Sequence, residues 1–265
     1  MLSSSTPDAL WSAPSLRALR PAAVACTDLR FGRDLDRCTL TVPPGARLLI
    51  VSEPDGVAST LLSLIAGLSH PDGGEIRIAG ATDPSAAGWG RRMAYLGPLP
   101  GMYPSMTPRE SLRLAGRLLG LPRDEVDQGS ERAAAWARIP PEAHDRPIAR
   151  GGAELLERTA LAAALIGDPE VLLLDEPLRA IEARERESLL RLPGPRLTVL
   201  LASRYPGTER GLVSHVAYLR GGRVAFVSAI AALEARGLSL SHGGLAAYAE
   251  PADAGAERRR ETATE

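Results

Sequence analysis

The acidic pair Asp175 and Glu176 is the feature of this sequence best suited to chemistry. The two acids end an apolar run, residues 171–174, and are followed by Pro177. A continuous apolar run of this length is typical of a parallel strand that is buried on both faces. Such a strand would deliver its terminal carboxylates to the edge of a sheet, where a metal–nucleotide complex can be held. The alternative is a buried strand that ends in two exposed acids.

A second candidate site is the loop over residues 52–60, between an apolar strand at 47–51 and a helix predicted from Ser59 to about Leu68. The first N–H groups of a helix and its positive dipole end attract phosphate. However, Glu53 and Asp55 add negative charge to this loop, and the whole chain contains no lysine. A carboxylate close to a phosphate oxygen costs about 1–4 kcal/mol at a moderate effective dielectric. A structural turn that binds no phosphate is therefore an open alternative.

The elements around these candidates alternate between apolar strands and helices, which predicts an α/β fold with a mostly parallel sheet flanked by helices. Two early short strands, residues 24–31 and 38–42, predict an antiparallel β edge. Residues 107–150 are predicted to form an inserted helical subdomain. A capping box at Thr107–Glu110 starts its first helix, and Pro122 divides the helical pattern.

Composition and charge limit the other possibilities. The chain has 265 residues and a net charge of -1, which gives no reason to expect a nucleic-acid partner. Its two cysteines show no framework spacing, which favours a reducing cytosol, and its four histidines show no metal-ligand spacing. We expect a loose leader at 1–21 that is not a signal peptide, a core domain at 22–237, and a partly disordered C-terminal tail at 238–265.

The order of the segments resembles the nucleotide-binding domain of ATP-binding-cassette (ABC) transporters, over about residues 24–235. This family has a P-loop NTPase-like fold. Four stretches carry the resemblance together: residues 47–68, 71–80 (PDGGEIRIAG), 103–112 (YPSMTPRESL) and 167–177 (GDPEVLLLDEP).

The resemblance assigns the family's phosphate-loop motif, G-x-x-G-x-G-K-[ST], to residues that depart from it. Ala58 stands at the lysine position, Val57 at the preceding glycine and Ser52 at the first glycine. Gly56 is the remaining flexible residue of the loop. Ser59 stands at the hydroxyl position that binds magnesium in the family.

The resemblance also implies where ATP and Mg²⁺ would bind. Phe31 matches the aromatic residue that stacks on adenine, and Thr60 follows Ser59 at the start of the helix. Asp175 would hold Mg²⁺ together with Ser59, and Glu176 would polarise the attacking water.

Other motif positions also carry unusual residues. Arg204 stands at the switch-histidine position and Pro98 at the Q-loop glutamine; arginine is a poor general acid or base because it stays protonated. The signature loop keeps Gly151 and Gly152, and Arg150 precedes them. Arg150 could clamp a γ-phosphate or could lie solvated or in a salt bridge.

These assignments imply a degenerate, ATP-binding subunit of a bacterial ABC transporter, cytoplasmic and peripheral at the inner face of the cell membrane. Its expected partners are a transmembrane permease subunit, which the family meets near residues 103–106, and an intact cassette chain. One alternative is an active ABC ATPase in which arginine takes over the lysine and histidine functions. Another is a non-catalytic scaffold or regulator.

Overall fold

The computed structural model describes residues 21–82, 89–191 and 197–250. The strands are β1 (Val24–Phe31), β2 (Leu35–Val42), β3 (Arg47–Glu53), β4 (Gly73–Ile78), β5 (Met93–Leu96), β6 (Val171–Asp175), β7 (Thr198–Ala202), β8 (His215–Arg220) and β9 (Arg223–Ala229). The helices are α1 (Val57–Ile65), α2 (Trp89–Arg92), α3 (Pro108–Leu118), α4 (Arg123–Trp136), α5 (Gly152–Leu165), α6 (Ala183–Leu190), α7 (Ile230–Glu234) and α8 (242–250).

The main sheet has the order β5-β6-β7-β3-β8-β9 and is parallel except for β9. Its central strands are apolar because both faces are covered. In β3, Leu48 and Ile50 belong to one buried cluster, whereas Leu49 and Val51 belong to the cluster on the other face. The predicted α/β fold with a mostly parallel sheet is confirmed, and the carboxyl ends of β3, β5 and β6 lie at one edge of it.

The predicted antiparallel part is also confirmed, as a separate three-stranded sheet with the order β2-β1-β4. The second strand begins at Leu35, earlier than the expected residue 38. A backbone hydrogen bond from Asp36 to Gly222, 3.0 Å long, connects this sheet to the hairpin between β8 and β9.

The helical segment follows its local sequence signals. The Thr107 hydroxyl accepts from the Glu110 amide and the Glu110 carboxylate accepts from the Thr107 amide, so the predicted capping box is present. Pro122 occupies the N-cap of α4 and separates it from α3, as the proline pattern indicates.

The stretch predicted to begin a partly disordered tail, from residue 238, contains a helix. Residues 242–250 form α8, and Leu240, Leu245 and Ala249 are buried in the same cluster as one face of the main sheet. These apolar residues, spaced along a short helix, pack against the sheet, while the bounds of the tail stay a prediction. The leader at 1–20 and residues 251–265 lie outside the described residues. Among the helices that are described, none is both long enough and apolar enough to cross a bilayer.

Candidate functional site

In the loop between β3 and α1, one glycine sets the backbone turn and a serine hydroxyl accepts a hydrogen bond from the helix that follows. Gly56 has φ +94° at the N-cap of α1, a left-handed conformation that strains other residues. The Ala58 amide donates to the Ser52 hydroxyl at 3.1 Å. Since both residues are buried, one N–H group of the first helical turn is already satisfied within the chain.

The position that the resemblance assigns to lysine is packed into the protein. Ala58 is 6% exposed and belongs, with Val57, to the apolar cluster beneath α1. The acids of the loop are approached by other elements: Glu53 accepts a hydrogen bond from the Tyr218 hydroxyl at 2.6 Å, and Asp55 lies 3.9 Å from Nε2 of His242. No guanidinium replaces the missing lysine among the contacts of these loop residues within the described chain, apart from Arg220, 4.0 Å from Glu53.

Asp175, at the end of β6, is 2% exposed, and each of its carboxylate oxygens accepts a hydrogen bond from a hydroxyl group. Ser59 donates to Oδ1 at 2.7 Å, and Tyr95 donates to Oδ2 at 3.1 Å. Burial, followed by the negative charge of Asp175, raises the pKa of Tyr95, so its hydroxyl remains a donor. The structure thus brings together Ser59 and Asp175, the two residues proposed to hold Mg²⁺, and adds a tyrosine that the sequence reasoning missed.

Glu176 is also held by its own chain. Its Oε2 accepts from Nε of Arg179 at 3.0 Å, and its Oε1 accepts from the backbone amide of Arg204 at 2.5 Å. Arg179 further donates to the Ser203 hydroxyl at 2.7 Å. Arg179 lies three residues after Glu176 and carries the opposite charge. This spacing was the sequence signal that could have predicted the pair.

Behind this contact lies a buried ion pair. Glu209 is 0% exposed and accepts from Nη2 of Arg186 at 2.8 and 2.9 Å, and from the Ser203 hydroxyl at 2.9 Å. Arg179 lies 3.3 Å from the same carboxylate. The side chain of Glu176 therefore sits at the outer end of a connected network of charges that extends into the core.

Arg204, at the position that the resemblance assigns to the switch histidine, contacts both Glu176 and the C-terminal helix. The Arg204 side chain is largely exposed, and its Nε lies 3.6 Å from Glu176. Its carbonyl oxygen is 3.0 Å from Nε2 of His242, which belongs to α8. The sequence indicated a surface or hairpin role for His242; no local signal could place it here, because the contact depends on how the C-terminal helix folds back.

The signature segment has a different character. Backbone amides of Ile148 and Ala149 donate to the carbonyls of Met106 and Pro104, at 2.9 Å each, which fixes the segment against the loop before α3. Gly152 has φ +67°, and Arg150, Gly151 and Gly152 are all exposed.

The other predicted residues are more dispersed. The Thr60 hydroxyl donates to the Asp34 carboxylate at 2.8 Å. Phe31 ends β1, pairs with Leu35 across the turn, and packs partly buried against the apolar cluster beneath α1. Pro98 lies exposed after β5.

A nucleotide with a divalent cation does not fit these residues well as they stand. Both Asp175 oxygens and both Glu176 oxygens already accept hydrogen bonds from the chain. Phosphate would meet the carboxylates of Glu53 and Asp55 without a lysine to offset their charge. Within the described residues, no group of at least three His, Cys, Asp or Glu side chains is arranged to hold a metal ion.

Comparison with known proteins decides the family. The family profile described as ABC transporter matches residues 35–179. The chain belongs to the ABC transporter family. It is 30% identical, over 82% of its length and 65% of that protein, to the ABC transporter protein AbcA of Aeromonas salmonicida. It is also 30% identical to the Fe(3+) ions import ATP-binding protein FbpC of Brucella abortus, over 64% of this chain.

The structural likeness agrees with this membership. A solved structure described as the ATP binding subunit of an ABC transporter superposes with a TM-score of 0.71 and 22% identity, covering 81% of this chain and 92% of that one. The ABC cassette fold is thereby shown. The chain spans about half the length of the iron-import relative, 49%.

Proposed function

We propose that this chain is the degenerate cassette subunit of an ABC transporter and works beside an intact cassette chain. The observation that carries the proposal is the state of the Asp175–Glu176 edge. All four carboxylate oxygens accept hydrogen bonds from the chain itself. Each of these hydrogen bonds occupies an acceptor position, so a cation or an attacking water would compete with groups of the chain itself for the same carboxylates.

The loss of hydrolysis has several independent supports. Ala58 provides no charge for phosphate, Pro98 has no side-chain amide, and Arg204 stays protonated. Removing one stabiliser of a transition state typically costs about 3–4 kcal/mol, and such losses are not additive. The expected ATP turnover of the chain alone is therefore at background.

The need for an intact partner follows from the way in which family members form sites, each from one chain's phosphate loop and the other chain's signature segment. Two copies of this chain would combine an acidic loop without lysine with an altered signature at both sites. An intact partner would supply a complete phosphate loop, and this chain would present Gly151, Gly152 and Arg150, which are exposed.

A permease is the proposed second partner. A cavity of about 400 Å³ lies between the end of β5, α3 and α5, and its lining includes Leu99 and Leu118. These leucines are 91% and 79% exposed, and Tyr103 nearby is also exposed. Apolar surface of this kind is suited to a protein contact, which supports docking of a permease helix and a position at the inner face of the membrane.

The deciding experiment is an ATPase assay of the purified full chain with and without Mg²⁺, beside the Glu176→Gln variant. We expect both proteins to show the same background rate. Magnesium-dependent turnover that Glu176→Gln abolishes would contradict the proposal and favour the active ATPase. If the wild type shows background turnover, association with an intact cassette then separates a transporter subunit from a scaffold.

A further inference from the structure

The Tyr95 hydroxyl donates a hydrogen bond to the Asp175 carboxylate, and this donor would not itself be a ligand of a cation bound there. We propose that Tyr95 closes the Asp175 carboxylate to divalent cations, so that this chain is metal-free at a position where a cation would otherwise bind. The proposal concerns the isolated chain and does not depend on the transporter assignment.

The register of the sheet explains how Tyr95 reaches this carboxylate. Tyr95 in β5 pairs with Leu173 in β6, in parallel. Side chains two residues apart in a strand share a face, so Asp175 lies on the same face as Leu173 and one step further toward the strand end. A long phenol side chain on β5 that leans along the strand therefore places its hydroxyl beside Asp175, at the observed 3.1 Å from Oδ2.

Gly97 provides the space for this orientation. A Cβ atom at residue 97 would lie 2.8 Å from a ring carbon of Tyr95 and 3.0 Å from its hydroxyl oxygen. These separations are too short for ordinary contact, so a larger residue at 97 would displace the ring. The absence of a side chain at Gly97 and the position of the Tyr95 ring thus belong to one arrangement.

The two hydroxyls that donate to Asp175, those of Ser59 and Tyr95, differ in whether they are compatible with a bound cation. A serine hydroxyl at the start of a phosphate-loop helix can itself be a ligand of a divalent cation, so Ser59 could share a cation with Asp175. The partly buried Tyr95 hydroxyl donates to Oδ2 at 3.1 Å and competes with the cation, or with a water bound to it, for the same oxygen. Tyr95 is thus the contact that opposes the cation.

Binding of Mn²⁺ alone, followed by electron paramagnetic resonance of the free ion, tests this directly. We expect Tyr95→Phe, which keeps the ring and removes the hydroxyl, to bind Mn²⁺ about ten- to a hundredfold more tightly than the wild type. Tyr218→Phe is the matched control, because it also removes a tyrosine hydroxyl from a carboxylate, that of Glu53. The control should bind Mn²⁺ as the wild type does.

The site of the gained binding is assigned by a double variant. Adding Asp175→Asn to Tyr95→Phe should return Mn²⁺ affinity to the wild-type value. Equal affinity of Tyr95→Phe and the wild type would overturn the proposal, as would a gain that survives Asp175→Asn. Tyr95→Met repeats the test with a side chain that adapts to irregular space, in case phenylalanine is poorly accommodated.

A measurement on the chain with its tyrosine intact keeps the proposal testable even if both Tyr95 variants fold poorly. Asp175→Asn alone should leave the weak Mn²⁺ binding of the wild type unchanged, because the carboxylate is already closed. If this substitution weakens Mn²⁺ binding, the wild-type site is open and the proposal fails. None of these outcomes depends on ATP turnover, so a failure here is distinguishable from a failure of the proposed function.

Discussion

At the end of β6, the four carboxylate oxygens of Asp175 and Glu176 accept hydrogen bonds from the chain itself, whereas at the start of α5 the residues Arg150, Gly151 and Gly152 are exposed. The proposed function assigns both regions to motifs of one family. In one, the carboxylates accept from Ser59, Tyr95, Arg179 and the Arg204 amide. In the other, backbone hydrogen bonds of the preceding residues position the segment.

On the proposed function these regions are the two halves of a composite site, and the structure shows that one is hydrogen-bonded within the chain and the other is exposed. The carboxylate edge is hydrogen-bonded to other parts of the chain, and we expect these contacts to contribute to stability. The signature segment is positioned but unoccupied by the rest of the described chain, so it is available to another molecule.

The largest expected effect is on the buried end of the carboxylate network. Arg186→Met leaves the buried Glu209 with Arg179, Ser203 and Thr208 as its remaining partners, and should lower the free energy of unfolding by about 3 kcal/mol. Arg150→Met, at the exposed segment, should change it by no more than about 0.5 kcal/mol. Equilibrium urea unfolding of both variants measures the contrast. Equal losses of unfolding free energy in the two variants would mean that the carboxylate network is no more important for stability than the exposed segment.

An intermediate effect is expected at the outer end of the same network. Arg179→Met removes the guanidinium from Glu176 and from Ser203, while the Arg204 amide still donates to Glu176. The free energy of unfolding should fall by about 1–2 kcal/mol, toward the lower end of the roughly 1.5–3 kcal/mol for hydrogen bonds to charged groups, because the Arg179 side chain is 32% exposed. Urea unfolding is again the measurement. An unchanged midpoint would show that Arg179 does not support this edge.

The sequence predicted correctly those structural features that depend on residues close together in the chain. The apolar run of β6, the capping box of α3 and the break at Pro122 depend on residues that are adjacent or one helical turn apart, and the structure confirms them. The contact of Tyr95 with Asp175 joins residues 80 positions apart. Such a contact depends on sheet order and register, which one sequence does not determine.

The C-terminal helix illustrates the same limit. Residues 238–250 carry weak periodicity, and their order comes from burial of Leu240, Leu245 and Ala249 against the main sheet. His242 reaches Asp55 and the Arg204 carbonyl only as a result of that packing. Its presence beside the phosphate loop was therefore inaccessible to motif comparison.

The smallest expected effect is the return of one cation to the phosphate loop. Ala58→Lys should bind ATP about tenfold more tightly than Ala58→Met, which has a similar length and no charge; a tenfold change corresponds to about 1.4 kcal/mol. The gain is limited because Glu53 and Asp55 remain in the loop. Calorimetric titration with Mg–ATP measures it. Equal affinities of the two variants would show that the loop has lost its phosphate-binding geometry.

The most direct test of the central contrast is light scattering of this chain with an intact cassette protein encoded beside it, with and without ATP. We predict an ATP-dependent mixed dimer and no ATP-dependent homodimer, because ATP that binds the intact phosphate loop stabilises the assembly by linkage. Arg150→Glu should weaken the mixed dimer, while Arg146→Glu, also exposed but outside the glycine pair, should not. An ATP-driven homodimer of this chain, or monomers under both conditions, would contradict the account.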